Sequence, residues 1–319
     1  MVAALLLGSI SPSLLAFQMS FGLVSGLAIA ALMAPMMSSI VGWFDTHRSL
    51  AVSLVSVGFG VAPMTMSPLA AFLVEGYDWR TAMQIIAIVV AVLMLPAAML
   101  IRRPPQVEAS LPGMAGAEPE ITVAEAIRSP QFIVLCLTNF FCCATHAGPI
   151  FHTVSYAVTC GIPLMAAVSI YSIEGLAGLG GRVAFGILGD RLGAKRVLVA
   201  GLFAQAFGAL AYAFVRELAG FYAVAALFGF IYAGVMPLYA VLARENFPQR
   251  MMGTVIGGTG LAGGLGMALG PLAGGLIYDA FATYTWMYVG AWGMGIGATL
   301  MALTFRSRAG RGAAAPQPA

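Results

Sequence analysis

The chain has 319 residues, of which 61% are hydrophobic and 8% charged, and its mean hydropathy is +0.94. A soluble domain carries about 25% charged residues, so this composition excludes a fold that covers itself with polar side chains; lipid must be a large part of its solvent. The net charge of +3 comes from basic residues scattered over short loops, which excludes a nucleic-acid partner.

Met1 to Phe44, Ser49 to Val74 and Thr81 to Ile101 carry no charge. A helix needs about 20 apolar residues to cross a bilayer core, and backbone polar groups must be satisfied internally there. These runs are too long and too evenly apolar for barrel strands, which alternate in segments of about 10 residues. The expected fold is therefore an all-α, polytopic transmembrane helix bundle. No basic region precedes the first apolar run, so no cleavable signal peptide is expected.

In chain order the sequence predicts one partial span at 1–11. Nine complete spans follow, at 14–42, 49–74, 80–101, 131–157, 164–188, 196–215, 218–242, 251–278 and 284–305. The one long break, 102–130, opens with Arg-Arg-Pro-Pro, is rich in Pro, Gly and Ala, and suits a solvated linker. Its end, 121–128, can form a short amphipathic helix. If 44–49, 102–130, 189–196, 243–250 and the tail share one side, that side holds twelve basic residues and the opposite loops hold two, Arg80 and Arg216. The positive-inside rule makes the first side cytoplasmic.

The expected organisation is an incomplete first bundle (1–101), a cytoplasmic linker (102–130), a six-helix bundle (131–305) and a cytoplasmic tail (306–319). Two-bundle transporters are built from matched halves, so the expectation is an N-terminally truncated chain whose first two helices are absent. Cys136, Cys142, Cys143 and Cys160 form no disulfide framework. The string CCATH at Cys142–His146 is read as apolar packing rather than a metal site. No metal or cofactor is expected.

The segment GDRLGAKR resembles the cytoplasmic loop signature of the major facilitator superfamily through Asp190, Arg191, Gly193, Lys195 and Arg196, with Gly186 or Gly189 before them. Glycine permits a tight reversal there, and the charges can tie adjacent helix ends. WFDTHRSLAVSLVSVG at 43–58 resembles the fifth-helix signature of the monocarboxylate transporter group and its oxalate–formate antiporter-like relatives. Trp43, Phe44, His47, Arg48, Leu50, Ala51 and Gly58 match; Ser53, Val55 and Val57 depart. The stretch 244–279 resembles the tenth-to-eleventh helix region of the superfamily. The resemblance implies a major facilitator fold that moves solutes by alternating access.

Ionisable groups inside a span are functional candidates by default. Arg182 lies eight residues before Asp190, about 12 Å up the helix, and a guanidinium can grip a carboxylate through two parallel hydrogen bonds. The resemblance implies that an arginine at this place meets the substrate anion. The alternative is a structural charge paired inside the bundle. The same resemblance implies an acidic residue four positions earlier, where this chain has Gly178. Glu174 shares a broad face with Arg182 and is a candidate proton carrier; the alternative is a solvated glutamate near the outer mouth. His146 and Asn139, seven apart, share a face and join Arg182 as substrate-binding candidates. His152, near Tyr156, is a second proton-coupling candidate, with an interfacial hydrogen-bonding role as its alternative. Gln18, Gln84, Gln205, Tyr171, Tyr232 and Tyr239 are weaker polar candidates. Gly257, Gly260, Gly264 and Gly270 are expected to let helices pack or slide. No strand or P-loop lysine accompanies them, so they do not read as a nucleotide site.

The expected function is secondary transport of a small organic anion, a mono- or dicarboxylate, by proton symport or anion exchange. Alternatives are multidrug-type efflux or a non-transporting membrane sensor. No enzyme constellation is visible. The expected setting is a monomer in the bacterial inner membrane, its partners the anion, protons or a counter-anion, and lipid.

Overall fold

A computed structural model of the chain describes residues 1–44, 46–101 and 122–305. Among these residues there is no strand. In the first half the helices are α1 (Val2–Ser9), α2 (Leu14–Phe17) continued through a π-helical stretch Gln18–Leu23 into α3 (Val24–Trp43), α4 (Arg48–Ser56), α5 (Gly58–Gly76) and α6 (Trp79–Leu100). A short α7 (Val123–Arg128) leads to α8 (Pro130–Thr159), α9 (Leu164–Leu192), α10 (Ala194–Ala211), α11 (Leu218–Val235), α12 (Leu238–Asn246), α13 (Met252–Phe281) and α14 (Thr285–Thr304).

Eight described stretches are long and apolar enough to cross a membrane, beginning at Leu14–Leu32 and ending at Thr285–Thr304. The predicted span 49–74 is divided into α4 and α5 at Val57, whose N–H reaches back only three residues to the Leu54 carbonyl. The predicted span 218–242 runs on to Asn246 but is interrupted at Met236–Pro237. Proline lacks an N–H and its ring crowds the carbonyl four residues back. Residues 102–121 of the expected linker and the expected tail from 306 lie outside the described residues.

Local chemistry explains where helices start and turn. Asp78 caps α6 by accepting from the N–H groups of Arg80 at 2.7 Å and Thr81 at 2.9 Å. The Thr81 N–H, then its hydroxyl, holds this exposed carboxyl below the usual carboxylate range. The Arg80 guanidinium donates to the carbonyls of Ser9 at 2.7 Å and Ser11 at 2.8 Å, fastening the end of α1 to the start of α6. Thr122 and Glu125 form a capping box at α7, at the place where the sequence predicts a short helix. The α9–α10 reversal turns on Gly193, with φ +90°.

Packing is densest in the second half. One buried cluster gathers Leu198, Leu202, Val235, Leu238 and Met252; another is aromatic, around Tyr156, Tyr212, Phe221, Phe228 and Tyr288. Backbones of α8 and α13 approach closely where Gly266 faces the Phe140 carbonyl, Gly270 faces Ala147 and Gly274 faces His152. At Gly257, Gly260 and Gly264 an added Cβ would meet no described atom within 4 Å. The helix carries glycine on several faces, and spacing alone does not say which one a neighbour covers.

Candidate functional site

The second half meets the first along α4, α5 and α9, and along α3 and α13. Between them lies a cavity of about 390 Å³ whose wall includes Arg182, His146, Asn139, Tyr232 and Ser56, together with Met236 and Pro237 from the α11–α12 break. The rest of its wall is largely apolar, with Ile150, Ile256 and Met267.

Arg182 is buried on α9. Its guanidinium makes no hydrogen bond to any described residue, and Nε is enclosed without a partner. A buried ion without compensation costs several kcal/mol, and this guanidinium stands on the cavity wall without a described partner. An added Cβ on Gly178 would stand 3.4 Å from Arg182 Nη1. The absent acidic residue at that position thus leaves the arginine open rather than redirected.

His146 is buried, with Nδ1 3.2 Å from Gln205 Nε2 and its ring tilted against Tyr232 at 5.2 Å between centroids. Asn139 reaches the same cavity, but its Nδ2 already donates to the Thr259 carbonyl at 2.8 Å, tying α8 to α13. The three expected substrate-binding residues are therefore together, with Asn139 doing structural work as well. The two expected proton-coupling residues do not line this cavity. Glu174 is buried one face away, where Gly229 of α11 lets its backbone and Cγ come close. Tyr232 lies within electrostatic reach of both Glu174 and Arg182. His152 sits between α8 and α13, its Nε2 3.1 Å from the Pro271 carbonyl and its ring against Tyr284.

A second constellation lies at the far end of α9. Asp190 accepts from the N–H groups of Ser49 at 2.9 Å and Leu50 at 3.1 Å, in the first turn of α4. The residue that would normally cap this helix, His47, has φ +53° and gives no side-chain cap. Asp190 supplies the cap from the other half of the chain, where α4's dipole also favours an anion. Close approach is possible because Gly189 faces Ser49 and Gly186 faces Ser53. Among the described residues Asp190 thus joins two helix ends through backbone N–H groups. Lys195 donates to the Leu303 carbonyl at 3.3 Å near the end of α14. Arg191 and Arg196 are exposed, and Arg48 opens α4, its side chain outside the described part.

The sequence reading missed Ser56, Met236, Pro237 and Thr259 as cavity residues. Pro237, inside a predicted span, was the one signal available for the break. Among the described residues no group of His, Cys, Asp and Glu could hold a metal ion.

A helical two-half architecture with a central cavity, and a Gly-Asp-Arg loop capping a helix of the opposite half, agrees with a match of the Major Facilitator Superfamily profile to residues 1–271. The chain belongs to the Major Facilitator Superfamily. Members of the superfamily are transporters rather than enzymes, and this one is an integral membrane protein. It is 26% identical over 96% of its length to an MFS transporter of Aspergillus flavus, covering 68% of that protein. It is 23% identical over 59% of its length to monocarboxylate transporter 12 of Xenopus laevis, covering 45% of it. With monocarboxylate transporter 13 of Bos taurus the values are 26% over 89%, covering 66%. The chain thus spans about half to two thirds of the length of these relatives. Among solved structures, the human organic anion transporter MFSD10 matches with a TM-score of 0.72 at 19% identity, covering 94% of this chain and 74% of that one. A bacterial ferroportin homologue in an outward-facing state matches at 0.66 and 15%, covering 95% and 80%. These likenesses establish the superfamily fold.

Proposed function

We propose that the protein moves a small organic anion, a carboxylate with an apolar body, across a membrane by alternating access. One observation carries this reading: Arg182 stands buried and unpartnered on the wall of a cavity between the two halves. A planar guanidinium presents a fork of N–H donors that fits a carboxylate, and binding there would supply the missing countercharge. The apolar wall suits the rest of such a substrate. The names of the monocarboxylate transporter relatives favour the same substrate class.

In this reading the Asp190 cap on α4 is a latch that closes the cytoplasmic side, and rocking of the halves breaks it. Glu174 is the proton carrier, linked to Arg182 through Tyr232. The lipid bilayer is the chain's solvent, the inner membrane of a bacterium its location, and the monomer its working form.

The test is uptake of labelled short-chain and aromatic carboxylates into proteoliposomes, with and without a proton gradient, by the wild-type chain and by Arg182→Ala. Carboxylate uptake that is lost in the variant supports the reading. Uptake that survives unchanged, or transport confined to neutral hydrophobic compounds, sinks it and favours the efflux alternative.

A further inference from the structure

We infer that Gln205 is a positioning residue that holds His146 as a neutral imidazole with its proton on Nε2, so that the ring offers the cavity a fixed hydrogen-bond donor. The importance of this for transport rests on the anion reading above; the chemistry itself does not.

Gln205 is fully buried on α10. Its Nε2 donates to the Cys142 carbonyl at 3.1 Å, and its Oε1 accepts from the Cys142 thiol at 3.5 Å. Turning the amide over would set Oε1 against the carbonyl oxygen, acceptor against acceptor, so Cys142 fixes which end points where. The second hydrogen of Nε2 has one neighbour left, His146 Nδ1 at 3.2 Å. An amide nitrogen only donates, so Nδ1 accepts and the proton of the neutral ring is on Nε2. The Cys142 carbonyl is also within hydrogen-bond reach of the ring and has a second lone pair, but an Nδ1–H turned toward it would leave the second Gln205 N–H facing a donor with no acceptor.

Nε2 has no hydrogen-bond partner among the described residues, and the ring and Arg182 line the same cavity. An imidazolium would need a hydrogen on Nδ1 as well, aimed at the Gln205 N–H, and would put a second cation in that cavity. The titratable or charged groups facing the ring are Cys142 on its own helix, Arg182 on α9, Tyr232 on α11 and Tyr239 on α12; α10 supplies neutral Gln205, and the cavity-lining residues of α13 are not titratable. No carboxylate among the described cavity residues would stabilise a charged ring. The cavity thus has a permanent cation and a neutral donor, a pairing suited to the two oxygens of a carboxylate. Any coupling proton travels elsewhere.

The experiment is ¹⁵N NMR of the full chain, labelled on histidine, in lipid nanodiscs. The His146 resonances are identified by their loss in His146→Gln. Between about pH 5.5 and 8, the range where histidine ordinarily titrates, the wild-type ring should stay neutral with Nε2 protonated. Gln205→Leu should give mixed tautomers and a ring that titrates within that range. Gln205→Glu should move the proton onto Nδ1. A wild-type ring protonated on Nδ1, or one that titrates within the range, overturns the inference. If Gln205→Leu does not fold, the wild-type and Gln205→Glu spectra decide. No substrate is needed, so the outcome stands even if carboxylate uptake is never observed. Where uptake is measured, Gln205→Leu should raise KM roughly 3- to 10-fold with kcat nearly kept, the size expected for one misplaced hydrogen bond. An unchanged KM overturns the donor role.

Discussion

Two positions on α9, eight residues apart, hold charge in opposite ways. Near the helix C-terminus Asp190 is satisfied by two backbone N–H groups of α4, 141 and 140 residues away in sequence. About two turns earlier Arg182 is buried and finds no described partner. A charge that is already satisfied holds structure together; a charge that costs stability and is kept points to a ligand. Both sit on one helix, so under the proposed rocking mechanism a motion that loosens the first would also move the second.

The comparison breaks first at Arg182. Arg182→Ala should reduce carboxylate uptake roughly 100-fold or more, the size seen when a desolvated ion pair loses one member. Arg182→Met should nonetheless melt at a higher temperature than wild type, because an uncompensated buried charge is gone. A lower melting temperature in a scan of detergent-solubilised protein would mean that the arginine is structural after all.

Gly178→Asp converts the open charge into a satisfied one. Its Cβ would stand 3.4 Å from Arg182 Nη1, with the Ala233 methyl at 3.0 Å having to yield slightly. The new carboxylate should compete with substrate and raise KM about 10-fold, the equivalent of about 1.4 kcal/mol. An uptake assay giving an unchanged KM would show that substrate does not meet this guanidinium.

At the satisfied charge, Asp190→Ala should weaken the α4–α9 contact by about 1–2 kcal/mol, the usual worth of a helix cap. Spin labels on Thr46→Cys and Arg191→Cys, both exposed positions, should then report a larger share of the separated state. An unchanged distance distribution would remove the latch.

The smallest effect concerns Asp78, a satisfied charge within the first half. The Thr81 N–H, chiefly, holds its carboxyl below the usual carboxylate range. The sign follows from linkage: the cap's contribution is present above the unfolded-state pKa and is lost as pH falls through the lower folded value. Asp78→Asn should therefore melt below wild type at pH 6, and the gap should close as pH falls below about 3.8. A gap that does not change with pH would show that the charge is irrelevant.

The candidate site was partly legible in the sequence. Arg182 could be placed at depth by counting from Asp190, and His146 with Asn139 by a spacing of seven, because helix geometry is the same wherever the helix is. Glu174 could not be placed by the same arithmetic: eight residues leave it turned about 80° from Arg182, and only Gly229 of α11 explains where it goes. Which α13 glycines meet α8 could not be told from spacing, because several faces of the helix share it; Gly266, Gly270 and Gly274 do. Gln205 was visible only as one more polar residue in a span; its meaning came from Cys142 and His146 on another helix.

The sequence by itself determined the solvent, the helices, the division into two bundles as an expectation and the superfamily resemblance. All of these follow from transfer free energy and backbone hydrogen bonding, which act on each segment alone. Tertiary structure decided which charges are satisfied. That depends on what another helix presents a few ångströms away, and at Asp190 and Arg182, eight residues apart on α9, the answers are opposite.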